Sequence, residues 1–150
     1  MSAASVHRTL GAALAGSLLL VALLTLSPTG ADGWAWGDPA TELRWYAGAA
    51  HSGAVATQLV GNLVLLAPSA LLAVLRWPAL RHPVPLVTAA LAAGASIELL
   101  QWALPLGRVV SPVDALLNAA GAVVAGLLAG VVLSIRRAGS GRPQRVWAGA

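Results

Sequence analysis

The sequence predicts an all-α integral membrane protein: a compact bundle of four transmembrane helices, N-in and C-in. Three observations carry this. Apolar residues make up 58% of the 150-residue chain and charged residues only 9%, far below the roughly 25% charged of an ordinary soluble domain. The apolar residues fall into four runs, from about Leu10 to Leu26, Ala56 to Leu75, Val84 to Leu104 and Val113 to Ile135, and a spanning helix needs ~20 of them. The arginines between the runs alternate between many and few.

The first run follows His7-Arg8 and ends at Ser-Pro-Thr-Gly-Ala. A signal peptide cut after Ala31 is the alternative reading. The intact helix is preferred, because losing it would leave the chain ends on opposite sides of the membrane. The second run contains Pro68, read as a tolerated kink. The third and fourth are joined by a short connection, 105–112. Trp77 and Trp102 sit at run ends, where interfacial aromatics belong. Trp34, Trp36, Trp45 and Tyr46 lie in the first connection, 27–55, which is either a plain loop or a membrane-surface segment with a short helix from Thr41 to Ala50.

Arg8, Arg76, Arg81, Arg136, Arg137, Arg142 and Arg145 fall on one side of a four-span chain, and only Arg44 and Arg108 on the other. The positive-inside rule then puts both termini in the cytoplasm. Residues 1–137 form the membrane domain, and the Gly/Pro/Arg-rich stretch 138–150 is expected to be a disordered cytoplasmic tail.

Absent residues exclude whole classes of chemistry. The chain has no Cys, so no disulfide, thiolate metal site, cysteine nucleophile or acylated cysteine is available. All nine basic residues are arginine and they are scattered, which argues against nucleic acid as a partner. No HExxH, Walker A or GxSxG motif occurs. No metal and no cofactor is expected.

The polar residues converge by depth. Glu98 and Gln101 lie near the outer end of the third helix. Asp114 sits at the outer mouth of the fourth, with Asn118 about one turn deeper. Asn62 is in the outer half of the second, and Arg108 is in the loop between the third and fourth. Six polar side chains therefore share one outer-leaflet layer. Glu98 and Gln101 are i,i+3 and Asp114 and Asn118 are i,i+4, so each pair shares a helix face. Below them lie Ala90 and Gly94 on one helix, and Gly121 and Ala125 on the other. Gly94, Gly121 and Ala125 are read as packing positions, because small residues let helices approach closely. A charge at mid-helix costs ~2.5–3.5 kcal/mol on insertion scales. Arg108 is the nearby cation, so a Glu98–Arg108 pair is expected. A purely structural reading stands beside this one. The pair would be a pin, and Asn62, Gln101 and Asn118 would be interhelical hydrogen bonds worth about 0.6 kcal/mol each.

These positions resemble the VanZ-like family, named for a protein associated with resistance to the glycopeptide teicoplanin. The resemblance covers about Asn62 to Gly126. Asn62 and Pro68 in "NLVLLAPSALL" match its first segment, with Leu66 where Phe is usual and Ala70 near where Gly is usual. "SIELLQ" is similar to its second, through Glu98 and Gln101. "GRVVSPVDALLNAAGAVVAG" looks like its third, through Arg108, Asp114, Asn118 and Gly121. Ser111 stands where an aspartate is common. The resemblance implies a multi-pass protein of the bacterial cell membrane with a link to glycopeptide susceptibility, and no particular reaction.

Three classes of function fit, in this order. The first is a non-enzymatic envelope protein. It would bind a membrane lipid, a lipid-linked cell-wall precursor or another anionic component, or a partner protein, through Asn62, Glu98, Gln101, Arg108, Asp114 and Asn118. The second is a small intramembrane enzyme acting on a lipid head group, with Glu98 or Asp114 as acid/base and Arg108 as anion clamp. Its nucleophile would be water or Ser111. The third is a proton-linked carrier using Glu98, which would require a homo-oligomer.

Overall fold

A computed structural model describes residues 2–29 and 33–140. The alternative cleavage point after Ala31 and the tail residues 141–150 lie outside the described residues. Among the described residues four segments are long and apolar enough to cross a membrane: Ala4–Leu26, Gly53–Arg76, Pro83–Ala103 and Pro112–Gly139. The protein is an all-α membrane protein, and these segments are its spanning helices.

Prolines and polar caps punctuate the chain. Helix α1 (Ala3–Leu26) starts at Ser2, whose hydroxyl accepts from the Ser5 N–H. It stops at Ser27, because the residue before Pro28 is pushed into extended geometry. Helix α2 (Pro39–Ala47) is capped by Asp38, with Pro39 in its first turn, where a missing N–H costs nothing. It begins earlier and ends earlier than the short helix expected from Thr41. Ser52 caps α3 (Gly53–Leu65). The second span is not one continuous helix. Pro68 cannot donate to the Val64 carbonyl, the chain tightens at Leu66, and α4 (Ala67–Arg76) resumes. Helix α5 (Pro83–Ala103) opens on Pro83 and ends just before Pro105. Helix α6 (Pro112–Ser140) opens on Pro112. It runs three residues into the stretch expected to be tail.

Helix α6 is the hub and packs on α5, α4 and α3, while α1 packs on α4 and α5. Glycine permits the close contacts. A Cβ on Gly94 would meet the Ala115 carbonyl of α6, and one on Gly121 would meet the Leu63 carbonyl of α3. Gly126 is buried against the Leu86 side chain, whereas Ala125 is only half-buried. The core is made of Val21, Leu66, Ala90, Ile97, Ala119 and Ala122. One polar contact, Ser17 Oγ to Ser69 Oγ at 2.8 Å, ties α1 to α4. Leu19, Leu23, Leu128 and Ile135 are more than half exposed. Such a surface suits lipid, where packing of small residues rather than burial of large ones drives helix association.

Two short strands close one end of the bundle. Strand β1 (Ala35–Trp36) runs parallel to β2 (Val109–Val110), pairing Ala35 with Val109 and Trp36 with Val110. Gly107 turns the chain into β2 with a positive φ of 66°, a conformation that favours glycine. The strand pair holds the first connection over the α5–α6 loop. Trp34 packs edge-on to Trp36 at 5.7 Å and Trp102 at 6.4 Å, which forms an aromatic cluster at this end. At the opposite end the Arg76 guanidinium lies 5.2 Å over Trp77.

Candidate functional site

All six polar residues singled out from the sequence line one cavity of about 1000 Å³ at the strand-bearing end. They come from α3 (Asn62), α5 (Glu98, Gln101), the α5–α6 loop (Arg108) and α6 (Asp114, Asn118). Helix α2 roofs the cavity with Glu42, Trp45 and Tyr46. Ser17, Leu20, Val21 and Leu24 of α1 form one wall, and Gly61, Val64 and Leu65 of α3 form another. Because α1 packs on α4 and α5, the α1–α3 side is a cleft with apolar edges. Leu20, Leu24 and Val64 are each more than half exposed along it.

The expected Glu98–Arg108 pair is not formed. Arg108 donates from Nε to the Ser27 carbonyl at 3.1 Å and from a terminal nitrogen to the Leu24 carbonyl at 3.2 Å. Gln101 donates to the Thr25 carbonyl at 3.0 Å, and the Ser27 hydroxyl donates to the Leu23 carbonyl. The last carbonyls of a helix have no partner within it. At the end of α1 these side chains supply the donors, so the arginine is used on backbone and not on a carboxylate.

Glu98 instead accepts from the Ser111 N–H at 2.6 Å. Ser111 organises the site. Its hydroxyl accepts from the Asp114 N–H at 2.9 Å, which caps α6, and donates to Glu42 at 2.8 Å. An aspartate at this position could cap the helix equally well, but it would place a further carboxylate beside Glu42. Asp114 accepts from Tyr46 Oη at 2.5 Å and Gln58 Nε2 at 3.3 Å. Asn62 donates to Tyr46 Oη at 3.0 Å. Asn118 is 2% exposed, and its Oδ1 has no hydrogen-bond partner. Among the described residues no three His, Cys, Asp or Glu side chains are grouped to hold a metal ion.

Sequence reasoning missed Glu42, Tyr46, Gln58 and the capping role of Ser111. One signal was present. Glu42 and Tyr46 are i,i+4 within a short helix and so share a face. What brings that face over the cavity is the β1–β2 pairing, which no local pattern announces.

Burial, followed by the hydrogen bond to Asp114, raises the pKa of Tyr46 above the ordinary tyrosine value. Its phenol is therefore a donor at neutral pH. A group held protonated by the fold contributes fully at low pH and loses that contribution as pH rises. The stability from this network should be flat up to about pH 10, the ordinary tyrosine value, and fall above it. Tyr46 is the only tyrosine in the chain, so ultraviolet difference titration reads it directly. Asp114→Asn should move the titration to lower pH; an unchanged titration would mean that the two residues do not meet.

A family model described as VanZ/LLP1 matches residues 15–133, from within α1 to within α6, a range that includes every residue lining the cavity. No curated protein and no solved structure matches the chain.

Proposed function

The chain belongs to the VanZ/LLP1 family, and we propose that it binds a lipid-linked component of the bacterial cell envelope. The head group occupies the polar cavity and the tail lies in the α1–α3 cleft. The observation that carries this reading is the shape of the cavity. It is polar under α2 and edged by Leu20, Leu24 and Val64 where it opens between helices. A molecule with one wet end and one apolar end complements both parts. Binding of a cell-wall precursor here would change how glycopeptides of the teicoplanin type reach their target.

The cavity end faces outward in this proposal. The arginine distribution supports it, with both termini cytoplasmic. The chain has no cysteine, so single cysteines report orientation cleanly. His51→Cys should label from outside intact cells and Gly139→Cys should not; the reverse pattern would invert the topology. Ser111 is 2% exposed and is unsuitable as a reporter.

Lipid mass spectrometry on the purified protein tests the binding. A Cβ on Gly61 would meet nothing within 4 Å, so Gly61→Trp should fill the cleft without disturbing the backbone. The native protein should carry a lipid that is enriched over bulk membrane lipids and absent from Gly61→Trp. Identical lipid profiles for the two would refute the proposal. Conversion of the bound lipid on incubation would turn the reading toward an enzyme.

A further inference from the structure

Resting on that reading, we infer that the head group taken by this cavity bears a primary ammonium rather than an anion. Three carboxyl groups from three elements, Glu42 of α2, Glu98 of α5 and Asp114 of α6, line the cavity with a single guanidinium, that of Arg108. Glu98 and Glu42 both bond to Ser111, while Asp114 donates its backbone N–H to the same serine. They are therefore gathered around one residue. Two nitrogens of Arg108 donate to the carbonyls of Ser27 and Leu24, and neither bonds to a carboxylate of this cluster.

Three acceptors among these groups are unfilled. Glu98 and Glu42 each bond through Oε2, which leaves Oε1 of both without a donor among the described residues. Asn118 Oδ1 adds a third acceptor. It belongs to a side chain 98% buried, lies one turn below Asp114, and has no partner. A buried polar atom without a partner is uncommon in a native fold and asks for an explanation. An ammonium offers three N–H donors and no acceptor. Bonds from it to carboxylates are of the strong, charge-assisted kind. The rings of Trp45 and Tyr46, 5.0 Å apart, also line the cavity, and aromatic faces attract cations. A phosphate would bring more acceptors and more negative charge to a place already in surplus of both. A neutral sugar would satisfy acceptors but would leave the carboxylates uncompensated.

Three amphiphiles with one tail separate these cases: dodecylamine, dodecyl phosphate and dodecyl maltoside. Each is titrated into the full chain in polyoxyethylene-detergent micelles and followed by tryptophan fluorescence. Trp45→Phe identifies the part of the signal that arises in the cavity. Dodecylamine should bind at least ~10-fold tighter than dodecyl phosphate, the equivalent of about 1.4 kcal/mol. Glu98→Gln and Glu42→Gln, which keep an acceptor oxygen, should each weaken dodecylamine alone by ~3-fold or more. Partition of the amine into micelles is the same for native and variant proteins, so the variant difference isolates the site. Tighter binding of the phosphate or the maltoside, or amine binding indifferent to both variants, overturns the ammonium inference and leaves the lipid reading intact. Binding of none of the three, with no enriched lipid in the purified protein, removes the lipid reading and this inference with it.

Discussion

Gly121→Ala is expected to destabilise the bundle by ~3 kcal/mol, the upper part of the usual range for over-packing. The new Cβ would fall on the carbonyl oxygen of Leu63, a backbone atom of α3 with no rotamer to escape into. Relief requires α3 to move off α6. That movement would carry Gln58 and Asn62 away from Asp114 and Tyr46, to which they donate. Gly16→Ala is the control. Nothing lies within 4 Å of a Cβ there, and alanine is the better helix former by about 1 kcal/mol. At roughly 2–4 °C per kcal/mol for chains of this size, Gly121→Ala should lower Tm by ~6–12 °C in a detergent melt and Gly16→Ala should not lower it. If the two variants melt together, α3 and α6 do not meet at Gly121.

Glu98→Ala should cost ~1–3 kcal/mol, because it strands the buried N–H of Ser111. Ser111 is 2% exposed and Glu98 8% exposed, so water does not replace the 2.6 Å bond. Glu98→Gln keeps an oxygen in place and should cost much less. The two variants thus separate the carboxyl group as an acceptor from the carboxylate as a charge. Arg108→Gln should loosen the end of α1 by removing donors to Leu24 and Ser27. Glu98 and Arg108 share no partner, so the Glu98→Gln/Arg108→Gln double variant should be additive to within ~0.5 kcal/mol. A coupling well above that, measured by equilibrium unfolding of the four proteins, would restore the ion pair and displace the hydrogen bonds described above.

Much of this protein is legible in the sequence because the bilayer sets a length scale. Four apolar runs between charged connections become four spans, since every backbone polar group in hydrocarbon must be satisfied within its own helix. With the spans placed, helical rise alone assigns a depth to each polar residue. That is why Asn62, Glu98, Gln101, Arg108, Asp114 and Asn118 could be expected at one level, and they line one cavity. Gly94 and Gly121 were legible for a similar reason: a small residue on a polar-capped stripe permits close approach. Partnership was not legible. Counting side-chain charges pairs Glu98 with Arg108, because the competing acceptors do not appear among side chains. They are the carbonyls of Leu24, Thr25 and Ser27, left over where α1 stops, and only the packing of α1 on α5 brings them to Arg108 and Gln101. Glu42 and Tyr46 were hidden in the same way. Their helix reaches Ser111 and Asp114 because the backbone pairs Ala35 with Val109 and Trp36 with Val110 across more than seventy residues. Depth follows from local pattern and the thickness of the bilayer. The choice of partner follows from which unsatisfied backbone groups the tertiary fold brings within reach, and every residue carries those groups alike.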